Sequence, residues 1–143
     1  MQHTNPSDKE IVELLSNTKT IAMIGASSNP EKTSHGIMNK LQSIGYRVIP
    51  VNPNETEILG EKCYASLLDI PIQIDIVDVF RKAETTVPIA EEAVKIKAKA
   101  LWLQSGIINE ETATIAKQGG LWMIMDECIA VMHAVLKVPG QAK

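Results

Sequence analysis

The sequence predicts an α/β fold of the Rossmann-like class, a three-layer, doubly wound domain with a parallel five-stranded sheet and helices on both faces. Three observations predict this fold. Short, continuous apolar runs, typical of strands covered on both faces, recur along the chain. Segments with the spacing of amphipathic helices separate these runs, which implies right-handed βαβ crossovers. A glycine follows the first run, at the strand-to-helix turn where such folds bind ligands.

The chain has 143 residues, 45% hydrophobic and 22% charged, which suits one domain with its own core. We therefore expect a single domain over residues 1–143. The net charge of −3 and the scattered lysines and arginines leave no basic stripe for nucleic acid. No apolar run approaches the roughly 18 residues of a membrane span, and no signal peptide is visible. We expect a cytoplasmic protein without nucleic-acid or membrane partners, whereas a homo-oligomer or a protein partner stays open.

A short helix and a first strand open the chain. Ser7 and Glu10 have the spacing of a capping box, which predicts a helix over about residues 7–16. The apolar run TIAMIG, residues 20–25, is too short for a helix. It is therefore predicted to be a strand.

A helix, a strand and a long loop come next. Helical spacing predicts a helix over residues 34–45, ended by Gly45 as a C-terminal cap. The segment RVIPVNPN, residues 47–54, indicates a second strand ended by prolines and Asn52. Residues 55–71 are expected to form a loop with a short helical piece.

The second half of the chain repeats the alternation. Strands are predicted over residues 74–80, 100–106 and 121–126, and helices over residues 86–100, 109–120 and 128–137. Pro88 falls in the first turn of its helix, where proline is tolerated. Trp102 and Trp122 lie in predicted strands and are expected in the core.

The turn after the first strand, GASSNPEKTS, departs from the common nucleotide-binding patterns. The dinucleotide fingerprint GxGxxG requires glycine where Ser27 and Pro30 stand. It also requires an acidic residue near the end of the second strand, where this chain has Asn52. NAD is therefore disfavoured. The GxxxxGK[ST] phosphate-binding loop is absent as well.

The same turn carries groups that suit a phosphate. Its hydroxyl groups belong to Ser27, Ser28, Thr33 and Ser34. Gly25 permits the turn, Lys32 supplies a positive charge, and the following helix offers N–H groups at its N-terminus. We therefore favour phosphate binding, with a merely solvated turn as the alternative.

Arg81, at the end of the third predicted strand, is a second candidate for ligand binding. A guanidinium group can hold a phosphate with two hydrogen bonds or stack on a base. The alternative is a surface ion pair with Glu84.

Taken in order, several segments resemble one known family. They are GASSNPEKTS, GYRVIPVNP with EILGEKCYASLLDI after it, DIVDVFRKAE, ALWLQSGI and MDECI, all within residues 20–133. This ordered set resembles the small single-domain coenzyme A-binding proteins, whose fold is that of the nucleotide-binding domain of the succinyl-CoA synthetase alpha subunit. The resemblance implies coenzyme A as the ligand. Its 3′-phosphate gains from cations and loses from an acidic ribose clamp.

The resemblance also implies which residues bind the coenzyme. The first loop would hold the phosphates through Gly25, Ala26, Ser27, Ser28, Lys32 and Ser34. The adenosine part would contact Asn52, Pro53, Phe80 and Arg81, and the pantetheine path would pass Gln104 and Gly106. The chain departs from the family pattern at Glu127, where a basic residue is usual, and at Met132, where an acidic one is usual.

The sequence shows no catalytic constellation and no metal-binding motif. His35 is expected to begin a helix, and Cys63 and Cys128 are expected to be free thiols, the latter a small buried side chain. Asp75 and Asp78 fall on opposite faces of one strand. The sequence thus favours a non-catalytic carrier, sensor or accessory module that binds coenzyme A or acyl-CoA. The alternative is a small enzyme acting on acyl-CoA thioesters, or a nicotinamide-dependent reductase.

Overall fold

A computed structural model describes residues 2–140 and shows helices and strands in the predicted alternation. The helices are α1 (Asp8–Ser16), α2 (Thr33–Ile44), α3 (Thr86–Lys95), α4 (Glu110–Gln118) and α5 (Ile129–Val135). The strands are β1 (Thr20–Ile24), β2 (Arg47–Val51), β3 (Glu57–Ile58), β4 (Glu61–Lys62), β5 (Ile76–Val79), β6 (Ala100–Leu103) and β7 (Trp122–Ile124). No helix within the described residues is long and apolar enough to cross a membrane. The outermost parts of the expected domain, residue 1 and residues 141–143, lie outside this description.

Five strands form one parallel sheet in the order β2-β1-β5-β6-β7, which confirms the predicted fold class. The chain runs from β1 outward to β2 and then crosses back to β5 on the other side of β1. The strand order therefore reverses between β1 and β5, where such sheets open a crevice beyond their carboxyl ends. The register aligns Ile24 of β1 with Val51 of β2 and Val79 of β5, so these three strands end level.

Helices cover both faces of the sheet, as predicted. Along β1 the buried side chains alternate, with Ile21 and Met23 in one core cluster and Ala22 and Ile24 in the other. The first cluster is completed by α1, α2 and α5, and the second by α3 and α4. Because every position after the first in each strand of the five-stranded sheet is buried, these strands have the continuous apolar character seen in the sequence.

The predicted helix ends are confirmed where capping residues mark them. Ser7 Oγ accepts from the Glu10 N–H at 3.2 Å and Glu10 Oε1 accepts from the Ser7 N–H at 2.9 Å, so the capping box of α1 is complete. Gly45 ends α2 in a left-handed conformation, with φ at 118°.

The prediction of a helix as far as residue 100 was wrong at its C-terminal end. The helix α3 ends at Lys95, and Lys97 takes a left-handed conformation with φ at 58°. The N–H groups of Lys97 and Ala98 donate to the carbonyls of Val94 and Ala93, which completes a Schellman motif. Lysine gives no sequence signal for this cap, whereas glycine does.

Residues 55–71 contain a hairpin that was not predicted. Strands β3 and β4 pair antiparallel across Leu59 and Gly60, whose φ angles of 49° and 83° suit a two-residue turn. Beyond the hairpin, Tyr64 accepts from Asn52 N–H and donates to Pro50 carbonyl, which covers the outer edge of β2. The predicted short helical piece is present as a 3₁₀ turn at Leu67–Asp69.

The two tryptophans differ in burial. Trp102 is fully buried and its Nε1 donates to the Glu127 carbonyl at 2.7 Å, so the expected core position is confirmed. Trp122 is 38% exposed, and its prediction as a core residue was wrong. It begins β7, an edge strand whose outer side has no neighbouring strand in the sheet.

Asp78 is a fully buried carboxyl in the central strand β5. Neither of its oxygens has a hydrogen-bond partner within residues 2–140. Burial raises the pKa of Asp78 well above its ordinary value, because the charged form loses its hydration. The folded protein therefore retains this proton at pH values where the unfolded chain has lost it.

We expect Asp78→Asn to change how stability depends on pH. As pH rises above about 4, Asp78 ionises in the unfolded wild-type chain before it ionises in the folded protein. The free energy of unfolding of the wild-type protein therefore falls by up to about 1.4 kcal/mol per pH unit. The asparagine variant lacks this loss, so its stability relative to wild type should increase between about pH 4 and 7. Urea denaturation across that range measures the difference. Asp69→Asn at an exposed carboxyl is the control, and a constant difference for Asp78→Asn would contradict the assignment.

Candidate functional site

Three adjoining cavities lie at the carboxyl edge of the sheet. The α3 cavity, about 440 Å³, lies between the ends of β1 and β2, the 3₁₀ turn at Leu67–Asp69, and α3. The loop cavity, about 430 Å³, lies over residues 25–34. The β6 cavity, about 420 Å³, lies after β6 and beside α2. Arg81 lines all three cavities, so they adjoin one another in the crevice at the reversal of strand order.

The structure brings together most of the site residues expected from the sequence. The loop cavity is lined by Gly25, Ala26, Ser27, Lys32, Ser34, Asn52, Phe80 and Arg81. Pro53 lines the α3 cavity and Gln104 lines the β6 cavity. Ser28 and Gly106 line none of these three cavities.

Gly25 allows the ends of β1 and β5 to approach each other. Its φ is 87°, its N–H donates to the Val51 carbonyl at 3.0 Å, and the Phe80 N–H donates to the Ile24 carbonyl at 2.8 Å. A Cβ at residue 25 would lie 2.7 Å from the Phe80 carbonyl oxygen. Both the backbone angle and the lack of space therefore require glycine.

The loop after Gly25 is held by hydrogen bonds of its own. The Asn29 N–H donates to Ser27 Oγ at 3.0 Å, and Asn29 Oδ1 accepts from the Glu31 N–H at 2.9 Å. The Lys32 N–H donates to the Asn29 carbonyl at 3.0 Å. These turns bring the chain into α2 without a capping side chain, since Lys32 occupies the N-cap position. Ser27 retains its hydroxyl proton for donation to a ligand.

Asn52 positions the loop through hydrogen bonds at both ends of its side-chain amide. Its Nδ2 donates to the Ala26 carbonyl at 2.8 Å and its Oδ1 accepts from the Asn54 N–H at 2.8 Å. Its carbonyl accepts from Cys63 Sγ at 3.5 Å. Burial raises the pKa of the Cys63 thiol, which keeps it protonated as a donor. Asn52 thus ties β2 to the first loop.

Two cations face the loop cavity. Lys32 and Arg81 are both exposed. Within residues 2–140 the ion pairs are Arg47 with Glu61 and Lys99 with Asp75. The alternative role of Arg81, an ion pair with Glu84, is therefore not formed in this structure. The two charges remain directed at an open cavity, where an anion would be favoured.

Glu55 was not predicted from the sequence. Its Oε2 accepts from the Ser28 N–H at 2.7 Å, and hydrogen bonding to Ser28 lowers the pKa of the Glu55 carboxyl. A carboxylate therefore already accepts from the backbone N–H of Ser28, a residue that was expected to help hold the phosphates. An anion can reach this N–H only if Glu55 moves away, so the open part of the loop cavity lies toward Lys32 and the start of α2.

Residues after β6 organise the far side of the crevice. Gln104 is buried and its Oε1 accepts from the Ile129 N–H at the start of α5. The Gly106 N–H donates to Asp126 Oδ1 at 2.7 Å. Cys128 lines the β6 cavity as a half-buried free thiol and is more exposed than expected. Gln104 and Gly106 thus fix the loops around this cavity.

The two residues that depart from the family pattern, Glu127 and Met132, lie just before α5 and within it. Glu127 accepts from Trp102 Nε1 through its backbone carbonyl, and Met132 packs against the core cluster beneath α5.

His133, also in α5, is buried against Tyr46 with ring centroids 5.8 Å apart, and burial lowers its pKa. His35 lies half-buried in the first turn of α2, as expected.

Residues 19–134 match the family described as the CoA binding domain. The chain belongs to this family. The uncharacterized protein YneT of Bacillus subtilis is 46% identical over 133 residues, which cover 93% of this chain and 98% of YneT. A hypothetical protein from Pyrococcus horikoshii OT3 has a similar structure, with a TM-score of 0.89 and 40% sequence identity. The match covers 96% of this chain and 99% of the Pyrococcus chain. The family and fold predicted from the sequence are confirmed.

A second group of relatives consists of much larger proteins. Acetate–CoA ligase [ADP-forming] of Methanocaldococcus jannaschii is 28% identical over 130 residues. The match covers 85% of this chain and 18% of the ligase. The chain thus spans less than a fifth of that relative.

We expect Gly25→Ala to destabilise the protein by roughly 2–4 kcal/mol, because a left-handed alanine is strained and its Cβ meets the Phe80 carbonyl. Gly36→Ala is the matched control, since a Cβ there meets no heavy atom within 4 Å. That change in α2 should stabilise the protein by about 0.5–1 kcal/mol. Urea denaturation measures both, and equal effects of the two alanines would contradict the close approach at Gly25.

Proposed function

We propose that this protein binds coenzyme A or an acyl-CoA along its three adjoining cavities and acts as a non-catalytic carrier, sensor or accessory module. The observation that carries the proposal is the crevice itself. It combines a cationic central part with a cavity on either side, and Arg81 belongs to all three parts. This arrangement suits a long ligand with phosphates between two different ends.

The loop cavity is the proposed site of the phosphates. Lys32 and Arg81 supply positive charge, and Ser27 can donate its hydroxyl proton. Among the described residues, the N–H groups of Thr33 and Ser34 at the start of α2 have no backbone acceptor. Such N–H groups and the helix dipole favour a phosphate at this position.

The two flanking cavities are proposed to take the ends of the ligand. The α3 cavity, with Pro53 at its margin, would hold the adenosine part. The β6 cavity has aliphatic and aromatic lining from Ile37, Phe80 and Ile107, with Gln104 as a polar group. This lining suits the pantetheine arm, which alternates apolar carbons with amide groups.

The family and its named relatives support coenzyme A over other phosphate ligands. The family is described as a CoA binding domain, and several larger relatives are named acetate–CoA ligases. Asn52 argues against NAD, because both ends of its amide are already engaged by the backbone. It offers no carboxylate to a ribose hydroxyl, as dinucleotide folds do.

Isothermal titration with coenzyme A, 3′-dephospho-coenzyme A and NAD tests the proposal. Coenzyme A should bind at least about tenfold more tightly than the dephospho compound, because the 3′-phosphate adds a charged contact. NAD should bind more weakly still. Equal or absent binding of all three would overturn the proposal. Titration with acetyl-CoA should release no free thiol, whereas steady thiol release would favour the enzymatic alternative.

Lys32→Ala should weaken coenzyme A binding by about tenfold, since one charged contact to phosphate is lost. The melting temperature should barely change, because Lys32 is exposed. Lys19→Ala is the matched control. Lys19 is also exposed, but it precedes β1 at the opposite edge of the sheet. Calorimetric titration and thermal melts of both variants decide the matter, and equal affinities would show that Lys32 does not contact the phosphates.

A further inference from the structure

The α3 cavity has the shape and lining of a site for a flat ring. Ile24 and Val51 line it at the strand ends, and Leu67 and Ile89 line it from the 3₁₀ turn and α3. Aliphatic side chains contributed by separate elements can sandwich the two faces of a heterocycle. The specificity of such a site depends on polar groups placed at the ring edge.

Two charged side chains that line this cavity, Arg81 and Glu92, lack a partner among the described residues. The Ser66 Oγ accepts from the Leu68 N–H at 3.2 Å, and Thr85 Oγ1 donates to the Lys82 carbonyl at 2.7 Å. Within residues 2–140, the Glu92 carboxylate has neither a hydrogen bond nor an ion pair, although it lines the cavity. This carboxylate is therefore available to accept a hydrogen bond from a ligand.

The position of Glu92 on α3 directs it toward the cavity. Thr85, Ile89 and Glu92 line the cavity together, at the i, i+4, i+7 spacing of one helix face. Burial and the neighbouring Asp69 charge raise the pKa of Glu92, and Lys95 opposes this only in part. The carboxylate is therefore poorly compensated where it stands, and a neutral N–H donor would stabilise it.

The negative charge of Glu92 also restricts which part of a ligand can enter the α3 cavity. Glu92 and the neighbouring Asp69 repel phosphate from their side of the α3 cavity, whereas Arg81 lines both this cavity and the loop cavity, which also contains Lys32. The base end of a nucleotide is therefore directed to the α3 cavity. Adenine presents an amino group at its C6 position, and guanine and hypoxanthine present a carbonyl oxygen there. A carboxylate accepts from the amine and repels the carbonyl.

We infer that Glu92 selects adenine in the α3 cavity by accepting a hydrogen bond from its exocyclic amine. The inference rests on the proposed function, since it assigns one residue to the base of the proposed ligand. It makes Glu92 a specificity-determining residue, distinct from the cations that provide the affinity for phosphate.

Competition of ADP and GDP against bound coenzyme A tests the inference. The wild-type protein should prefer ADP by at least about tenfold. Glu92→Gln keeps the side-chain size and adds a donor for the guanine carbonyl, so the preference should fall to about threefold or less, mainly through tighter GDP binding. Glu91→Gln is the matched control, because Glu91 is exposed and does not line the cavity. The Glu91→Gln variant should prefer ADP over GDP to the same degree as the wild-type protein.

The outcomes separate this inference from the function on which it rests. Failure of the wild-type protein to bind coenzyme A would overturn both. Coenzyme A binding without an ADP preference, or with a preference that Glu92→Gln leaves unchanged, would overturn the role of Glu92 alone. Thermal melts of Glu92→Gln show whether the variant is folded. Glu92→Ala removes the acceptor without adding a donor, so it should weaken ADP binding and change the affinity for GDP little.

Discussion

The close approach of β1 and β5 at Gly25 and Phe80 is the constraint on which the site depends. No side chain fits at residue 25, because a Cβ would lie 2.7 Å from the Phe80 carbonyl. The two central strands can therefore end side by side while their connections leave in opposite directions, one into α2 and one toward α3. The crevice opens where these connections separate. Phe80 and Arg81 follow β5 directly and so become the shared wall of neighbouring cavities.

The charges along the crevice differ in sign from one part to the next. Lys32 and Arg81 are placed over the loop cavity, whereas Glu92 faces the α3 cavity and Glu55 covers the Ser28 N–H. Carboxylates at two margins restrict an anionic ligand to the space between them, toward the start of α2. This arrangement differs from the dinucleotide pattern, in which glycines replace the side chains of the loop and an acidic residue follows β2 to bind ribose. Here Glu55 lies near that position but is bound to the loop backbone.

The parts of the fold that were predicted correctly are those that leave a local pattern. The capping box at Ser7, the glycine at residue 45 and the apolar strands each have a signature within a few residues. The hairpin at residues 57–62 was missed because its strands are two residues long and its turn contains leucine. The end of α3 was misplaced because a lysine adopts the left-handed cap. Tertiary packing, rather than local preference, decides such positions.

The site shows a different limit of sequence reasoning. Residues that directly follow a strand could be named in advance, because parallel strands deliver their ends to one edge of the sheet. Glu55 and Glu92 follow no strand end directly, because Glu55 lies in a loop and Glu92 lies in the second turn of a helix. Their roles depend on where β2 and α3 lie relative to β1, which only the assembled sheet determines. The cationic part of the crevice was therefore visible in the sequence, whereas the carboxylates that limit it became visible only in three dimensions.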